Sequence, residues 1–282
     1  MKIVVTGSES FVGRELIKQC QLLDVEIGKI DLAHNLDIRT PAIDDQIFEK
    51  ADALIHLAAV SFNYQRLTDI RELFDVNVLG TLNLIRAAKK RKIKKFIFAS
   101  SEWVYGEKQA HEEYRENDFI DVSKINNPYA LSKLISENNL RNELKVFCPV
   151  TILRFSIIYG PREKNWSAVE SLFNSVRINN KVEVGSLKTS RRFIHVQDVV
   201  AAILSVLSKD DGNYEIYNVA GEELISLGQI IETSSRILNK KPQVLELSPD
   251  QFNIRNPSNA KIKSQLGWQP KINLETGLKT LL

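Results

Sequence analysis

Along the first two-thirds of the chain, short apolar runs alternate with helix-spaced patterns. The runs at 2–6, 25–31, 52–57, 94–99 and 149–155 read as strands. Apolar positions recurring every three or four residues predict helices near 12–23, 66–92 and 129–143. Strands alternating with helices predict a parallel sheet with helices on both faces. Phe96-Ile97-Phe98-Ala99 shows no polar alternation, as expected of a strand buried from both sides. The connection from 25–31 to 52–57 is short, with one helical turn expected near 43–49.

After Pro161 the pattern changes. A helix at 166–178 leads to strands near 182–184 and at 191–195. A helix at 197–208 and a strand at 214–219 follow, both apolar enough to rejoin the main sheet. Residues 226–282 mix a helix, a strand and loops containing Pro242, Pro249, Pro257 and Pro270. The expected class is α/β, a Rossmann-like doubly wound parallel sheet with a smaller C-terminal α/β lobe. Residues 1–158 form the expected dinucleotide-binding domain, to which 196–219 returns. Residues 159–195 and 220–282 form the expected substrate lobe, around a cleft at the strands' carboxyl ends.

Composition narrows the classes. The chain has 282 residues, 43% hydrophobic and 26% charged, a soluble globular balance with room for about two domains. The longest apolar run, Val199-Val200-Ala201-Ala202-Ile203-Leu204, is too short to span a bilayer, so no membrane partner is expected. The N-terminus enters a strand directly and shows no signal peptide. Cys20 and Cys148 stand in separate apolar contexts, as reduced core thiols of a cytoplasmic protein would. Four scattered histidines and two cysteines give no metal-ligand spacing, so no metal is expected. Net charge is +3, too small to argue for nucleic acid. The basic run Lys89-Lys90-Arg91-Lys92, with Lys94 and Lys95, fits a solvated helix end better than a nucleic-acid patch, because a buried strand follows it.

Two constellations carry chemistry. The first is the turn Thr6-Gly7-Ser8-Glu9-Ser10-Phe11-Val12-Gly13, which closes a strand and opens a helix. Such a turn offers backbone N–H groups and a positive helix end to a phosphate. Asp31 ends the second strand, 18 residues after Gly13. A carboxylate there binds ribose hydroxyls and repels the extra phosphate of NADP, or it is an ordinary strand-end acid. The second is Tyr129-x-x-x-Lys133, which puts a phenol and an ammonium on one helix face. A free phenol, with pKa near ~10, is a poor base at neutral pH. A neighbouring ammonium and a nicotinamide cation are expected to favour its phenolate.

The chain resembles an extended short-chain dehydrogenase/reductase of the nucleotide-sugar epimerase/dehydratase family over nearly its whole length. The glycine turn stands where the family has T-G-x-x-G-F-x-G. His56-Leu57-Ala58-Ala59 matches H-x-A-A, and Asn77-Val78-Leu79-Gly80-Thr81 matches N-x-x-G-T. Ser100-Ser101-Glu102-Trp103-Val104-Tyr105-Gly106 and Pro128-Tyr129-Ala130-Leu131-Ser132-Lys133 follow in the family's order. So do Arg154 with Tyr159-Gly160-Pro161, the stretch Arg191-Arg192-Phe193-Ile194-His195-Val196, and Leu266-Gly267-Trp268-Gln269-Pro270.

The resemblance implies a catalytic set of Ser101, Tyr129 and Lys133. It implies NAD or NADP contacts at Gly7, Ser10, Phe11, Val12, Gly13, Asp31, Asp37, Ile38, Leu57, Ala58, Ala59, Asn77 and Ser100, with Tyr129 and Lys133; Asp31 favours NAD. For a nucleotide-sugar substrate it implies Glu102, Trp103, Arg191 and Arg255, although either arginine could instead be a solvated surface group. It also implies a homodimer in which helices 66–92 and 129–143 pair across a two-fold axis. Leu73, Val76, Leu84, Leu134 and Leu140 are available for that face, or for packing inward.

The chain departs from the family pattern in places. Ser10 replaces a glycine, and its hydroxyl could donate to a phosphate. Glu102-Trp103 stands where sugar 4,6-dehydratases carry Asp-Glu, which argues against water elimination. Ile157 replaces an asparagine that usually contacts the diphosphate, while Arg154-x-Ser156 is closer to 4-ketoreductases. The leading expectation is a 4-ketoreductase making a nucleotide-activated (6-deoxy) sugar. The alternatives are an NAD-dependent 4-epimerase resembling UDP-glucose 4-epimerase and, more remotely, a dinucleotide sensor without chemistry. Substrate choice is expected to depend on 62–66, 102–112 and 159–190.

Overall fold

The computed structural model describes residues 1–61, 70–106, 112–164, 167–179, 181–209 and 212–282. The chain forms two compact units. The first comprises Met1–Glu107, Phe119–Arg154 and Val200–Tyr217, and the second Lys108–Asp118, Phe155–Val199 and Asn218–Leu282.

A six-stranded sheet organises the first unit. Its strands are β1 (Lys2–Thr6), β2 (Glu26–Ile30), β3 (Ala53–His56), β4 (Phe96–Ser101), β5 (Val150–Phe155) and, later in the chain, β10 (Tyr214–Val219). Their spatial order is β10-β5-β4-β3-β1-β2. The central strands are apolar and buried on both faces, which removes the polar alternation of a half-exposed strand. β2 is an edge strand and half-exposed along most of its length. β1 pairs in parallel with β2 on one side and β3 on the other, so the chain order reverses at β1. In open α/β sheets that reversal is where ligands bind.

Helices cover this sheet. α1 (Phe11–Cys20) starts on Ser10, whose Oγ accepts from the Gly13 N–H. α2 (Arg71–Phe74) runs through a π-helical stretch (Asp75–Gly80) into α3 (Thr81–Arg91). The expected helix at 66–92 thus contains a widened turn, and its first residues lie outside the described ones. α4 (Pro128–Glu143) starts on Asn127, which accepts from Ala130, with Pro128 at the first helical position. The basic run ending α3 is paired: Arg86 and Lys90 reach Asp44, Arg91 reaches Asp45, Lys89 reaches Glu143 and Lys94 reaches Asp52.

Of the residues available for a dimer face, Leu73, Val76, Leu84 and Leu140 pack inward, all at most 8% exposed. Among the described residues of that region, Ile70, Leu79 and Leu82 are the exposed large apolar groups.

The second unit has its own core, built around Tyr159, Phe173, Val176, Phe193, Ile230 and Leu278. It contains β6 (Ile158–Tyr159), α5 (Ala168–Ile178), β7 (Lys181–Val184), β8 (Ser190–Arg191) and β9 (Ile194–His195). The start of α6 (Val196–Leu207), β11 (Ile225–Ser226), α7 (Leu227–Leu238), β12 (Gln243–Glu246) and β13 (Ile254–Arg255) follow. The single strand expected at 191–195 is two. β8 joins β11 and β13, whereas β9 pairs with β6. The chain changes sheets at Arg192–Phe193, where Gly221 sits so tightly that an added Cβ would lie 2.0 Å from the Phe193 carbonyl oxygen. Two short helices, α8 (Ala260–Leu266) and α9 (Leu274–Lys279), occupy residues that carried no helix expectation.

Candidate active site

The ends of β1 and β3 build a cradle. Gly7 adopts φ 70°, and an added Cβ would lie 2.6 Å from the Ala58 nitrogen. A Cβ on Gly13 would lie 2.2 Å from the Gly7 carbonyl oxygen. Only glycine permits this close approach of loop, strand and helix. The Ser8 hydroxyl, in the same loop, is fully buried and has no hydrogen-bond partner among the described residues. Bare loop backbone, an α1 N-terminus with no acidic residue in its first turn and an unsatisfied hydroxyl fit a dinucleotide pyrophosphate.

Asp31 organises the next part of the cradle. Its carboxylate accepts from the Glu9 and Ala33 N–H groups at 2.9 and 3.0 Å, tying the glycine loop to the end of β2. Glu9 in turn pairs with Arg14 and His34. Asp37 is held by Arg39, whose guanidinium keeps its carboxyl below the usual range. Ile38 is buried in the core, and its side chain packs where Gly80 has no Cβ. Of the Asp37–Ile38 pair, therefore, only Asp37 and the backbone are presented to a ligand.

Asn77, on the π-helical stretch, accepts from the Val60 N–H and donates to the Val60 carbonyl and to Ser132 Oγ. Its side chain clamps the loop after β3 to α4. His56 bridges Thr6 Oγ1 at 2.7 Å and Thr81 Oγ1 at 3.0 Å. Complete burial, and the charge of Lys133, hold this imidazole neutral by pushing its pKa well down.

The proposed reacting groups converge at the end of β4 and on α4. Ser101 Oγ accepts from the Trp103 N–H at the start of a tight turn, Glu102–Tyr105, and is hydrogen-bonded to the Tyr129 hydroxyl. Lys133 Nζ donates to the Ala99 carbonyl at 2.8 Å. It lies 4.7 Å from the Phe98 ring centroid and 5.8 Å from that of Tyr129. Burial pushes the Tyr129 phenol up to about 12, against the lowering effect of its Ser101 hydrogen bond. Burial also pulls Lys133 down to about 7, opposed by the charge of Glu137. Desolvation is the largest influence on both groups, and the Ser101 hydrogen bond opposes it at Tyr129.

Two residues behind this site, Glu137 and Arg154, carried no site expectation. Glu137 lies one helical turn beyond Lys133 and accepts two hydrogen bonds from Arg154, at 3.0 and 2.7 Å. Ser100 Oγ donates to the same carboxylate, so that side chain is turned toward Glu137. The Arg154 guanidinium also lies 4.8 Å from the Tyr105 ring centroid. Glu137 was visible as a carboxylate four residues after Lys133; its partners were not. Glu102 is fully buried and Trp103 half-buried.

Arg191 and Arg255 lie in the second unit, in register on β8 and β13. Both are buried rather than solvated. Arg191 donates to the carbonyls of Ser190 and Asn253 and to Asn253 Oδ1. Among the described residues no group of acids, histidines and cysteines could hold a metal. No helix among them is long and apolar enough to cross a membrane.

Glycine cradle, acidic strand end and Ser–Tyr–Lys set together mark a dinucleotide-binding α/β enzyme with a candidate proton-transfer site. Residues 3–220 match the model of the NAD-dependent epimerase/dehydratase family, and the chain belongs to that family. It is 28% identical to GDP-6-deoxy-D-mannose reductase of Pseudomonas aeruginosa, over 100% of this chain and 96% of the relative. It is 27% identical to a putative UDP-glucose 4-epimerase of Methanocaldococcus jannaschii, over 99% of this chain and 97% of the relative. The solved structure of RMD from Pseudomonas aeruginosa complexed with NADPH matches with a TM-score of 0.85 at 27% identity, covering 99% of this chain and 96% of that one.

Proposed function

We propose that the protein is an NAD(P)H-dependent 4-ketoreductase of a nucleotide-activated 4-keto sugar, yielding a nucleotide-activated (6-deoxy) sugar. The observation that carries this reading is the convergence of Ser101, Tyr129 and Lys133, with the Tyr129 hydroxyl hydrogen-bonded to Ser101, an arrangement able to orient a carbonyl oxygen and protonate it. A reductase needs a proton donor at the moment hydride arrives; an epimerase needs a base first. The reduced nicotinamide, when bound, supplies the hydride to carbon 4. Ser101 orients the carbonyl oxygen, and Tyr129 gives that oxygen its proton. Lys133 holds the nicotinamide ribose and carries positive charge beside the phenolate left on Tyr129. The relative named as a reductase and the Glu102-Trp103 sequence, without the dehydratase's second carboxylate, support the same reading.

Gly7, Ser8 and Gly13 would hold the pyrophosphate, Asp31 the adenine ribose, and Leu57–Ala59 the far side of the cradle. Asp31 favours NADH, because its carboxylate repels a 2′-phosphate. The first unit is the proposed cofactor domain. The second is the proposed substrate lobe, with Arg191 and Arg255 near the nucleotide diphosphate. A homodimer is part of the proposal, through the exposed Leu79 and Leu82. So is a cytoplasmic location, which suits two buried free thiols.

A 4-epimerase is the second reading, favoured by the epimerase relative and by Asp31. Incubation with NADH or NADPH and 4-keto-6-deoxy nucleotide sugars separates the two. Loss of reduced-nicotinamide absorbance with one of them is the expected result. No consumption with any of them, together with NAD retained through purification and interconversion of UDP-sugars, overturns the ketoreductase.

A further inference from the structure

Behind the candidate proton-transfer site, one buried network ties together four pieces of the first unit. Tyr129, Lys133 and Glu137 follow one another at single-turn spacing on α4. The Glu137 carboxylate receives Ser100 Oγ from the end of β4, and both Nε and a terminal nitrogen of Arg154 from β5. Arg154 continues to the Tyr105 ring in the turn after β4. The Tyr214 hydroxyl, from β10, donates to the Glu137 backbone carbonyl at 3.1 Å. Glu137 and Arg154 side chains are each 3% exposed.

The placement has a consequence. Ser100 and Ser101 are neighbours at the end of β4 and both reach α4, one at Glu137 and the next at Tyr129. The bond that fixes Ser100 on α4 therefore also sets where Ser101 meets the phenol of the same helix. Glu137 is also the carboxylate whose charge acts on Lys133. The other groups around Lys133 are the neutral His56 from β3, the Phe98 ring and Ala99 carbonyl from β4, and Tyr129 on its own helix. Asn77 reaches the same stretch of α4 from the π-helical turn. Arg154 stands on the far side of Glu137, and Glu102 is buried in the turn after β4.

We propose that the buried Glu137–Arg154 pair is a positioning device for the Ser101–Tyr129–Lys133 set: it fixes the alignment of β4 on α4, and its charge balance decides how readily Lys133 holds its proton. The charge coupling separates a working pair from a merely structural one. Glu137→Gln and Arg154→Gln both break the same ion pair, so a structural role moves them alike. Their charges differ in sign, so coupling to Lys133 moves them in opposite directions. Glu137→Gln removes the negative charge that favours protonated Lys133 and lowers the pH at which Lys133 loses its proton. Arg154→Gln leaves Glu137⁻ uncompensated and raises it.

The test is competitive amine labelling of Lys133 across pH in the cofactor-free protein, read by mass spectrometry, with NADH affinity followed over the same range. The expected shifts are about one pH unit each, of opposite sign, the size a nearby charge gives. Arg154→Lys, which keeps the charge, restores the wild-type midpoint. Shifts of the same sign, or none, overturn the electrostatic part. Ser100→Ala removes a single hydroxyl and serves where the charge variants fail to fold. It is expected to lower kcat about tenfold, while NADH affinity stays within about twofold; unchanged kcat overturns the alignment part. The catalytic roles of Tyr129 and Lys133 rest on the proposed function. The labelling needs neither substrate nor turnover, so failure of that reading is distinguishable from failure of this one.

Discussion

Both units bury polar side chains, and they use them differently. In the second unit, the Asn259 amide pairs with both the N–H and the carbonyl of Ala220. Asn218 donates to the Tyr114 carbonyl, and Asp198 accepts from the N–H groups of Lys271 and Ile272. These partners are backbone groups of loops, so the side chains act as joints. In the first unit, Ser101, Tyr129, Lys133, Glu137 and Arg154 face one another, and burial moves the phenol and the amine far from their ordinary values. A buried polar residue that satisfies backbone holds a fold. A buried group whose partners also titrate is a candidate for chemistry.

That contrast can be broken from either side. The largest effect is expected from Tyr129→Phe, which removes the proposed proton donor and leaves the ring in place. The kcat of ketone reduction should fall by about 10²–10⁴-fold, the range for a lost general acid. NADH affinity, measured by quenching of its fluorescence, should stay within about threefold. A variant retaining full kcat would show that Tyr129 does no proton transfer. The opposite outcome is expected of Asn259→Ala, which strands two buried backbone groups and should cost about 1–3 kcal/mol in denaturant unfolding. Its NADH affinity should match wild type. Loss of cofactor binding without loss of stability would erase the distinction between joint and site.

The glycine turn and the Tyr129–Lys133 pair were legible because their spacing is local. A glycine with φ 70° and two residues one helical turn apart are written into a few consecutive positions. The main strands were legible for the same reason, as continuous apolar runs. The Glu137–Arg154 pair was not, because its partners are joined only when α4 packs on β4 and β5. The inward packing of Leu73, Leu84 and Leu140 also escaped the pattern, since an apolar stripe does not say whether a core or a second chain covers it. The break between β8 and β9 depends on Gly221, 28 residues beyond Phe193 in sequence. The sequence alone leaves Arg191 and Arg255 open as diphosphate clamps or as solvated surface groups. Their burial follows from pairing in register on two strands that are far apart along the chain.

On the proposed function, this site delivers hydride and proton to carbon 4 of an activated sugar. The most direct measurement uses NADH deuterated at nicotinamide carbon 4, a 4-keto-6-deoxy nucleotide sugar and mass spectrometry of the product. The expected product carries one deuterium, located at sugar carbon 4, in stoichiometry with the NADH oxidised. A reduced product without deuterium at carbon 4, or a sugar interconverted with no net NADH oxidised, would contradict it.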